Sequence, residues 1–354
     1  MKASLLLLAV SLCLAFSSGE VALRLLGHHG APGSSISNIY PVDDPILDWR
    51  HVPNSEVNVG RVVYRYNRAG FRDVDHALEK PPGIRRIVVL GDSVSEGYGV
   101  EWKHVFAHVL QAQLGDGVEV INLAAGGLNT RQELHLLERE GLVYQPDLVI
   151  VNFVLNDADF DSTREGAERY LAEKNSQIGI LGLPISPGLK QLFKSSALIY
   201  FVKERVELLK GRLVDGDAPD YFSHLWAKEE NREKVRTAFR KLAALQAERR
   251  FEVVVIIWPL MTDFSRYGFG FVHDWVRREA ATAGFPVVDL LGNFSRMRYR
   301  DLQVTAEDNV HPNAVGHRLA VEAFLAWHRS RGEGRGEGAV APLEGQSFRN
   351  RPNT

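Results

Sequence analysis

The sequence predicts an α/β protein in which helices cover both faces of a parallel sheet. Short apolar runs rich in β-branched residues alternate with longer segments whose apolar residues recur at helical spacing. The runs carry apolar residues on both faces, which is typical of strands that are buried in a parallel sheet covered by helices. Five strands are predicted, over residues 87–90, 118–123, 148–153, 251–257 and 287–290.

The predicted helices lie between and after these strands. Residues 102–114 and 130–140 follow the first two strands, and residues 313–328 form the last amphipathic segment. The stretch from 160 to 250 contains no clear strand before residue 251. We interpret it as a helical insertion, with helices over residues 192–210 and 228–249.

Composition is that of a globular chain without a marked charge preference. The 354 residues are 45% hydrophobic and carry a formal net charge of −2. This charge gives no indication of a nucleic acid or polyanion partner. The single cysteine, Cys13, lies near the amino terminus, so the rest of the chain can form neither a disulfide nor a thiolate metal site.

The two ends of the chain differ from the centre. Residues 1–19 contain one lysine, an apolar run and terminal small residues, a pattern typical of a secretory signal peptide. A membrane anchor is the alternative, because apolar residues resume after residue 20, although the first run is shorter than the roughly 20 residues that span a bilayer. We therefore expect export to the periplasm or beyond, with membrane association only through this segment.

The remaining organisation follows from these ends. Residues 20–83 show no strand–helix alternation and are interpreted as an amino-terminal extension packed on the core, with an extended segment over residues 62–66. The main domain covers residues 84–328, including the insertion over residues 160–250. Residues 329–354 are rich in Gly, Arg, Glu, Pro and Asn, which predicts a disordered tail.

The segment RRIVVLGDSVSEGYGV, residues 85–100, is the centre of the functional interpretation. Its buried strand ends at Gly91-Asp92-Ser93, which places the Ser93 hydroxyl at the carboxyl edge of the sheet. Ligands bind at this edge in open α/β sheets. Ser93 is either a nucleophile or a residue that caps a helix or closes a turn, and this segment alone leaves both readings open.

Polar groups elsewhere in the chain favour the nucleophile. Asn156 follows the third strand, and one loop before the last helix carries two ionisable side chains three residues apart. A serine hydroxyl needs an adjacent base, the base needs an acceptor that orients it, and the developing anion needs preorganised donors. The candidate nucleophile, base and acid are Ser93, His311 and Asp308, and the candidate donors are the Ser93 and Gly127 N–H groups with the Asn156 amide.

The segments that carry these residues resemble the four sequence blocks of the SGNH (GDSL-type) hydrolase family. They are Gly91-Asp92-Ser93, residues 122–127, Asn156-Asp157 and Asp308-x-x-His311-Pro312, and they occur in the family's order and spacing over roughly residues 86–327. The resemblance implies a flavodoxin-like three-layer α/β/α fold and ester hydrolysis through an acyl-enzyme on Ser93. It also implies that no metal or organic cofactor is required. Carried over by position, Asp308 and His311 complete the triad, and Gly127 and Asn156 are oxyanion donors.

Two features depart from the family pattern. Val154 stands where the third block usually has glycine, which leaves the placement of Asn156 open. The second block offers Gly126 and Gly127, and we choose Gly127 because the residues after it match the family in that register. The rival α/β-hydrolase fold is disfavoured, because Gly91-x-Ser93-x-Ser95 lacks the second glycine of its nucleophile elbow.

The sequence therefore predicts an exported serine esterase acting on acetyl or other short acyl esters, with a small-molecule or glycan ester as substrate. Two alternatives remain. One is an O-acyltransferase that acts on envelope polysaccharide, and the other is a non-catalytic binding module on the same fold.

Overall fold

Strands and helices divide the chain into an amino-terminal extension and a central sheet with its helices. The computed structural model describes residues 2–26, 37–59, 62–169, 195–199, 201–202, 205, 219–305 and 308–333. The strands are β1 (Ile39–Pro41), β2 (Trp49–His51), β3 (Glu56–Val59), β4 (Val62–Arg65), β5 (Arg85–Leu90), β6 (Val118–Asn122), β7 (Leu148–Phe153), β8 (Glu252–Ile257) and β9 (Val287–Asp289). The labelled α-helices are α1 (Lys2–Leu25), α2 (Ser93–Glu96), α3 (Phe106–Leu114), α4 (Thr130–Leu136), α5 (Pro219–Ala227), α6 (Glu229–Arg249), α7 (Gly270–Thr282), α8 (Leu291–Phe294) and α9 (Ala314–Glu333).

The central sheet is parallel, with the strand order β6-β5-β7-β8-β9. Counted along the chain from the first strand of this sheet, the order is 2-1-3-4-5, which is the flavodoxin-like arrangement. In the middle of the sheet, Val88 lies beside Ile121 on one side and Val149 on the other. The predicted α/β fold with five parallel strands is therefore confirmed.

Helices cover both faces of this sheet and make three layers. Alternate residues of a strand point to opposite faces, and Val88 and Leu90 of β5 pack in the cluster that includes residues of α4, α6 and α7. Ile87 and Val89 pack in the opposite cluster, with residues of α3 and α9. Both faces bury apolar side chains, each worth about 1.5–3 kcal/mol of transfer free energy, which accounts for the predominantly apolar sequence of the strands.

The extension adds two small antiparallel hairpins to this core. Strands β1 and β2 form one, and β3 and β4 form the other. Trp49 and Phe71 join the apolar cluster on the α4 side of the sheet, while Val59, Tyr64 and Tyr66 make a separate buried cluster. The predicted extended segment at residues 62–66 corresponds to β4.

Three helical segments differ from the prediction. The four-residue helix α2 was not predicted, because it is too short to show a helical period; it begins after the N-cap Asp92 and ends at Gly97, whose φ is 86°. The predicted helix at 102–114 is divided by Val105, an extended residue between a 3₁₀ turn and α3. The predicted helix at 130–140 is α-helical to Leu136, and then becomes a π-helical turn.

The ends and the insertion are described only in part. Helix α1 is continuous through the region of the predicted signal-peptide cleavage, and α9 extends past residue 328 to Glu333. Most of the predicted helix at 192–210, and residues 334–354, lie outside the described residues. Helix α6 matches the predicted helix at 228–249. Within the described part of the chain, no helix combines the length and the apolar character needed to cross a membrane.

Candidate active site

Ser93 is the first residue of α2, directly beyond the carboxyl end of β5. The cap of this short helix is Asp92, whose Oδ1 accepts a hydrogen bond of 2.9 Å from the Val94 N–H. Ser93 is therefore not the cap of this helix. Its hydroxyl contacts a side chain 218 positions away instead.

Ser93, His311 and Asp308 form a continuous hydrogen-bonded chain. Ser93 Oγ lies 2.8 Å from His311 Nε2, and His311 Nδ1 lies 2.8 Å from Asp308 Oδ2. A carboxylate can only accept, so Nδ1 carries the proton of a neutral ring, and Nε2 is left as an acceptor for the serine proton. The structure thus brings together the three residues that the sequence singles out as nucleophile, base and acid.

The Asp308 carboxylate is stabilised as an anion by its own loop. Burial opposes its ionisation, but hydrogen bonds and the charge interaction with His311 outweigh burial, so that the pKa of Asp308 lies below its usual value of 3.8. The backbone N–H groups of Val310 and His311 also donate to Oδ1, at 3.0 and 2.8 Å. An ionised Asp308 can hold the imidazole in one tautomer and stabilise its charged form.

Neighbouring segments hold this loop in place. The Met261 N–H, beyond the end of β8, donates to the Asn309 carbonyl at 2.7 Å, and the Val304 N–H donates to the His311 carbonyl at 3.0 Å. At the start of α9, Asn313 Oδ1 accepts from the Val315 N–H at 2.9 Å. The loop is therefore tied to the sheet before it enters the helix.

The two adjacent glycines in the turn after β6 differ in the hydrogen bonding of their N–H groups. The Gly126 N–H is engaged, since it donates to Glu96 Oε2 at 3.0 Å. Gly127 has a φ of 85°, a left-handed conformation that favours glycine. Across the described ranges, neither the Gly127 N–H nor the Ser93 N–H donates to another group of the protein. This arrangement supports the choice of Gly127 over Gly126 as the candidate donor.

Asn156 lies in the 3₁₀ turn Leu155–Ala158 that follows β7. Its Nδ2 donates to Asp92 Oδ2 at 2.7 Å, which fixes the side chain beside the serine and leaves the second amide hydrogen available. Val154, at the position where the family has glycine, is extended with φ −116° and ψ 157°. Any residue adopts that conformation, so the departure from the family pattern needs no strained backbone.

Buried carboxyl groups surround the Asn156 turn, and sequence reasoning missed most of them. Burial raises the pKa of Asp92, and it raises the pKa of Glu133 and of Asp157 well above the ordinary range, with neighbouring carboxyl groups adding to the effect. Burial thus opposes ionisation of all three carboxyl groups. For Glu133 a sequence signal existed: it lies on the inner face of a predicted helix.

Two further residues near the serine carried no sequence signal. The Tyr98 ring lies 4.4 Å from the His311 ring, centroid to centroid, at an angle of 41°. Glu96, three residues after Ser93, is 1% exposed. Both depend on contacts between segments distant in sequence, which a local pattern cannot reveal.

Outside this site, the described residues include a cavity but no group of metal ligands. Among the described residues, no three His, Cys, Asp or Glu side chains are grouped so that they could hold a metal ion. A cavity of about 520 Å³ lies between α4 and α6, with Ile46, Leu134 and Lys241 among its lining residues. None of the candidate active-site residues lines it.

Comparison with known proteins gives a match over most of the central domain. The model of the family described as "GDSL-like Lipase/Acylhydrolase family" matches residues 89–319, well over half of the chain. An acetylxylan esterase from Xylanibacter ruminicola is 24% identical over 117 residues, which cover 30% of this chain and 24% of that protein. The match thus spans about a quarter of the relative's length.

Solved structures with similar architecture include two hydrolases. A lipase/acylhydrolase from Enterococcus faecalis is 18% identical, with 70% of this chain and 97% of that chain covered and a TM-score of 0.41. An alpha/beta hydrolase enzyme from the metagenome of Lake Arreo, Spain, is 16% identical, with 68% and 94% covered and a TM-score of 0.41. The family assignment rests on the family model.

Proposed function

Because the chain belongs to the GDSL-like lipase/acylhydrolase family, we propose that it is an exported serine esterase that hydrolyses acetyl or other short acyl esters. The observation that carries the proposal is the chain of hydrogen bonds from Ser93 Oγ through His311 to Asp308. Family membership supports ester hydrolysis as the reaction. The partial similarity to an acetylxylan esterase supports a glycan ester as the substrate.

The first half-reaction forms the acyl-enzyme. His311 Nε2 takes the proton of Ser93 as Oγ attacks the ester carbonyl carbon, and the carbonyl oxygen becomes an oxyanion. The N–H groups of Ser93 and Gly127 and the amide of Asn156 donate to that oxyanion. His311 then gives its proton to the alcohol oxygen, the ester bond breaks, and the alcohol leaves.

The second half-reaction repeats these steps with water. His311 removes a proton from a water molecule that attacks the acyl carbon, and the same donors receive the second oxyanion. The bond to Ser93 Oγ breaks, Ser93 recovers its proton from His311, and the carboxylic acid is released. Asp308 remains ionised throughout and stabilises the imidazolium that forms in each half-reaction.

Export is supported by the amino-terminal segment alone. Residues 1–19 combine a basic start, an apolar run and small residues near Gly19. Sequencing the amino terminus of protein recovered from a bacterial envelope fraction tests this part of the proposal. A mature chain that begins near residue 20 supports export with cleavage, and an intact amino terminus on protein in the cytosol contradicts it.

Substitution of Ser93 tests the proposed reaction. Ser93→Ala should reduce kcat on p-nitrophenyl acetate at least about 1,000-fold without a change in melting temperature, since only the nucleophile is lost. Ser95→Ala is the matched control: it removes a buried hydroxyl from the same helix that has no hydrogen-bond partner among the described residues. Wild-type turnover in Ser93→Ala would refute the mechanism.

Product analysis separates hydrolysis from the alternatives. With an acetylated glycan and an added acceptor glycan, the proposal predicts free acetate as the main product. Acyl transfer to the acceptor in preference to water would identify an O-acyltransferase. A folded protein that binds the glycan without releasing acetate would identify a binding module.

A further inference from the structure

One buried carboxylate links the amino-terminal extension to the turn that carries Gly127. Glu96 belongs to α2, three residues after Ser93, and its side chain is 1% exposed. Its Oε2 accepts the Gly126 N–H at 3.0 Å, and its Oε1 accepts the Tyr66 hydroxyl at 2.8 Å. The two oxygens therefore face different parts of the chain, the turn after β6 and the end of the β3–β4 hairpin.

Tyr66 is itself held firmly. It belongs to the buried cluster with Val59 and Tyr64, and its ring stacks on the His51 ring with centroids 4.4 Å apart. His51 Nε2 lies 3.4 Å from Glu96 Oε1. Burial lowers the pKa of His51 despite the nearby Glu96 charge, so a neutral imidazole faces the carboxylate.

The extension also binds the segment on the other side of α2. The buried Arg72 guanidinium donates to the carbonyl groups of Glu96, Gly97 and Val100, at 2.8, 2.7 and 2.7 Å. The Tyr64 hydroxyl accepts from the Gly99 N–H at 2.8 Å. These bonds reach the backbone at the end of α2 and after it, not the Glu96 side chain.

We propose that Glu96 and Tyr66 are positioning residues for the oxyanion site, and that the extension is a working part of the active site. Two adjacent glycines, Gly126 and Gly127, can adopt many backbone conformations. The Glu96 carboxylate fixes the first of them and so directs the N–H of the second, while Tyr66 holds the carboxylate. Neither residue touches the substrate, and the inference rests on the proposed function.

Kinetic measurements on three single variants and one double variant test this role. Glu96→Leu removes both acceptors and should lower kcat about tenfold or more with little change in KM, because a misdirected donor weakens only transition-state binding. Glu96→Gln keeps one acceptor oxygen and should recover most of the kcat that Glu96→Leu loses. Tyr66→Phe removes only a hydroxyl and should lower kcat by about three- to tenfold. In the double variant Glu96→Leu/Tyr66→Phe, the two decreases in kcat should not add, since Tyr66 acts through Glu96.

Tyr64→Phe is the matched control. It makes the same change on the same hairpin, but its hydroxyl bonds Gly97 and Gly99 and not Glu96. Its kcat should stay within about twofold of wild type even where its melting temperature falls as far as that of Tyr66→Phe. The inference is wrong if Tyr66→Phe keeps wild-type kcat, or if Tyr64→Phe loses as much kcat as Tyr66→Phe. This test does not depend on whether Glu96→Leu folds. An esterase that loses activity in Ser93→Ala but not in Tyr66→Phe retains the proposed function and loses only this inference.

Discussion

The charge of Asp308 gives the active-site loop a dependence on pH. The pKa of this carboxyl is depressed in the folded protein, because its hydrogen bonds and the His311 interaction outweigh burial. A depressed carboxyl pKa means that the unfolded chain binds the proton more tightly than the folded protein does. The stabilisation is therefore present above the ordinary value of 3.8 and is lost as the pH falls through the lower folded value.

Denaturant unfolding of wild type and Asp308→Asn between pH 3 and 7 measures this contribution. The difference in unfolding free energy between the two proteins should shrink as the pH falls from about 5 toward 3, since asparagine does not titrate. A difference that does not change with pH would show that Asp308 is not held as an anion by its loop.

Asn156 follows Val154, where the chain departs from its family's pattern, and the role of Asn156 can be measured. Asn156→Ala should lower kcat about 100- to 1,000-fold with little effect on KM, because an oxyanion donor acts only on charge that develops in the transition state. The observed bond to Asp92 Oδ2 places the amide beside the nucleophile. If the variant keeps most of its kcat, Ser93 and Gly127 are the only donors.

At the scale of single residues, the sequence predicted the candidate catalytic residues but not the contacts that hold the site in position. Ser93, His311 and Asp308 follow from strand ends and a three-residue spacing, which are local features. The Asp92–Asn156 bond joins residues 64 positions apart, and Glu96 meets Tyr66 across 30 positions. No periodicity in the sequence encodes such pairs, because they form only when the sheet brings its strand ends together.

Among the elements, the end of α2 is sterically constrained. Gly97 has a φ of 86°, and a Cβ there would lie 2.4 Å from Val105 Cγ2. Gly284, just after the end of α7, has a similar φ of 80°, but a Cβ would meet nothing within 4 Å. The two glycines share the backbone penalty and differ in the space around them.

This pair yields a controlled prediction. Gly284→Ala should lower the unfolding free energy by about 1–2 kcal/mol, the cost of a left-handed alanine. Gly97→Ala should cost clearly more, about 3 kcal/mol or above, because Val105 must also move from its buried position. Equal losses in the two variants, measured by denaturant unfolding, would show that the turn after α2 is loosely packed.

The elements themselves were predicted where burial imposed a pattern. All five strands of the central sheet were found, because a strand buried on both faces is apolar at most of its positions. Helix α6 was found from its length. Helix α2 was missed, since four residues contain about one helical turn and no period, and the extended Val105 that divides the predicted helix at 102–114 carries no turn signal.

For the whole molecule, the order of elements along the chain determines where the site lies. In the 2-1-3-4-5 sheet, the loops after β5, β6 and β7 carry Ser93, Gly127 and Asn156, and a fourth loop before α9 brings Asp308 and His311 to the same edge. This assembly followed from the predicted parallel order. The position of the extension could not be predicted in this way, because its contacts with α2, such as those of Arg72, join segments outside the repeating strand–helix pattern.

The account depends above all on Ser93 being a nucleophile that the assembled site activates. The most direct measurement is intact-mass analysis of the full chain after reaction with a fluorophosphonate, with peptide mapping of the adduct. We predict one adduct per chain on Ser93, no adduct in Ser93→Ala, and slow labelling in His311→Ala, because the base is lost. A folded wild-type protein that takes no label, or a Ser93→Ala variant that is labelled as fast as wild type, would contradict the account.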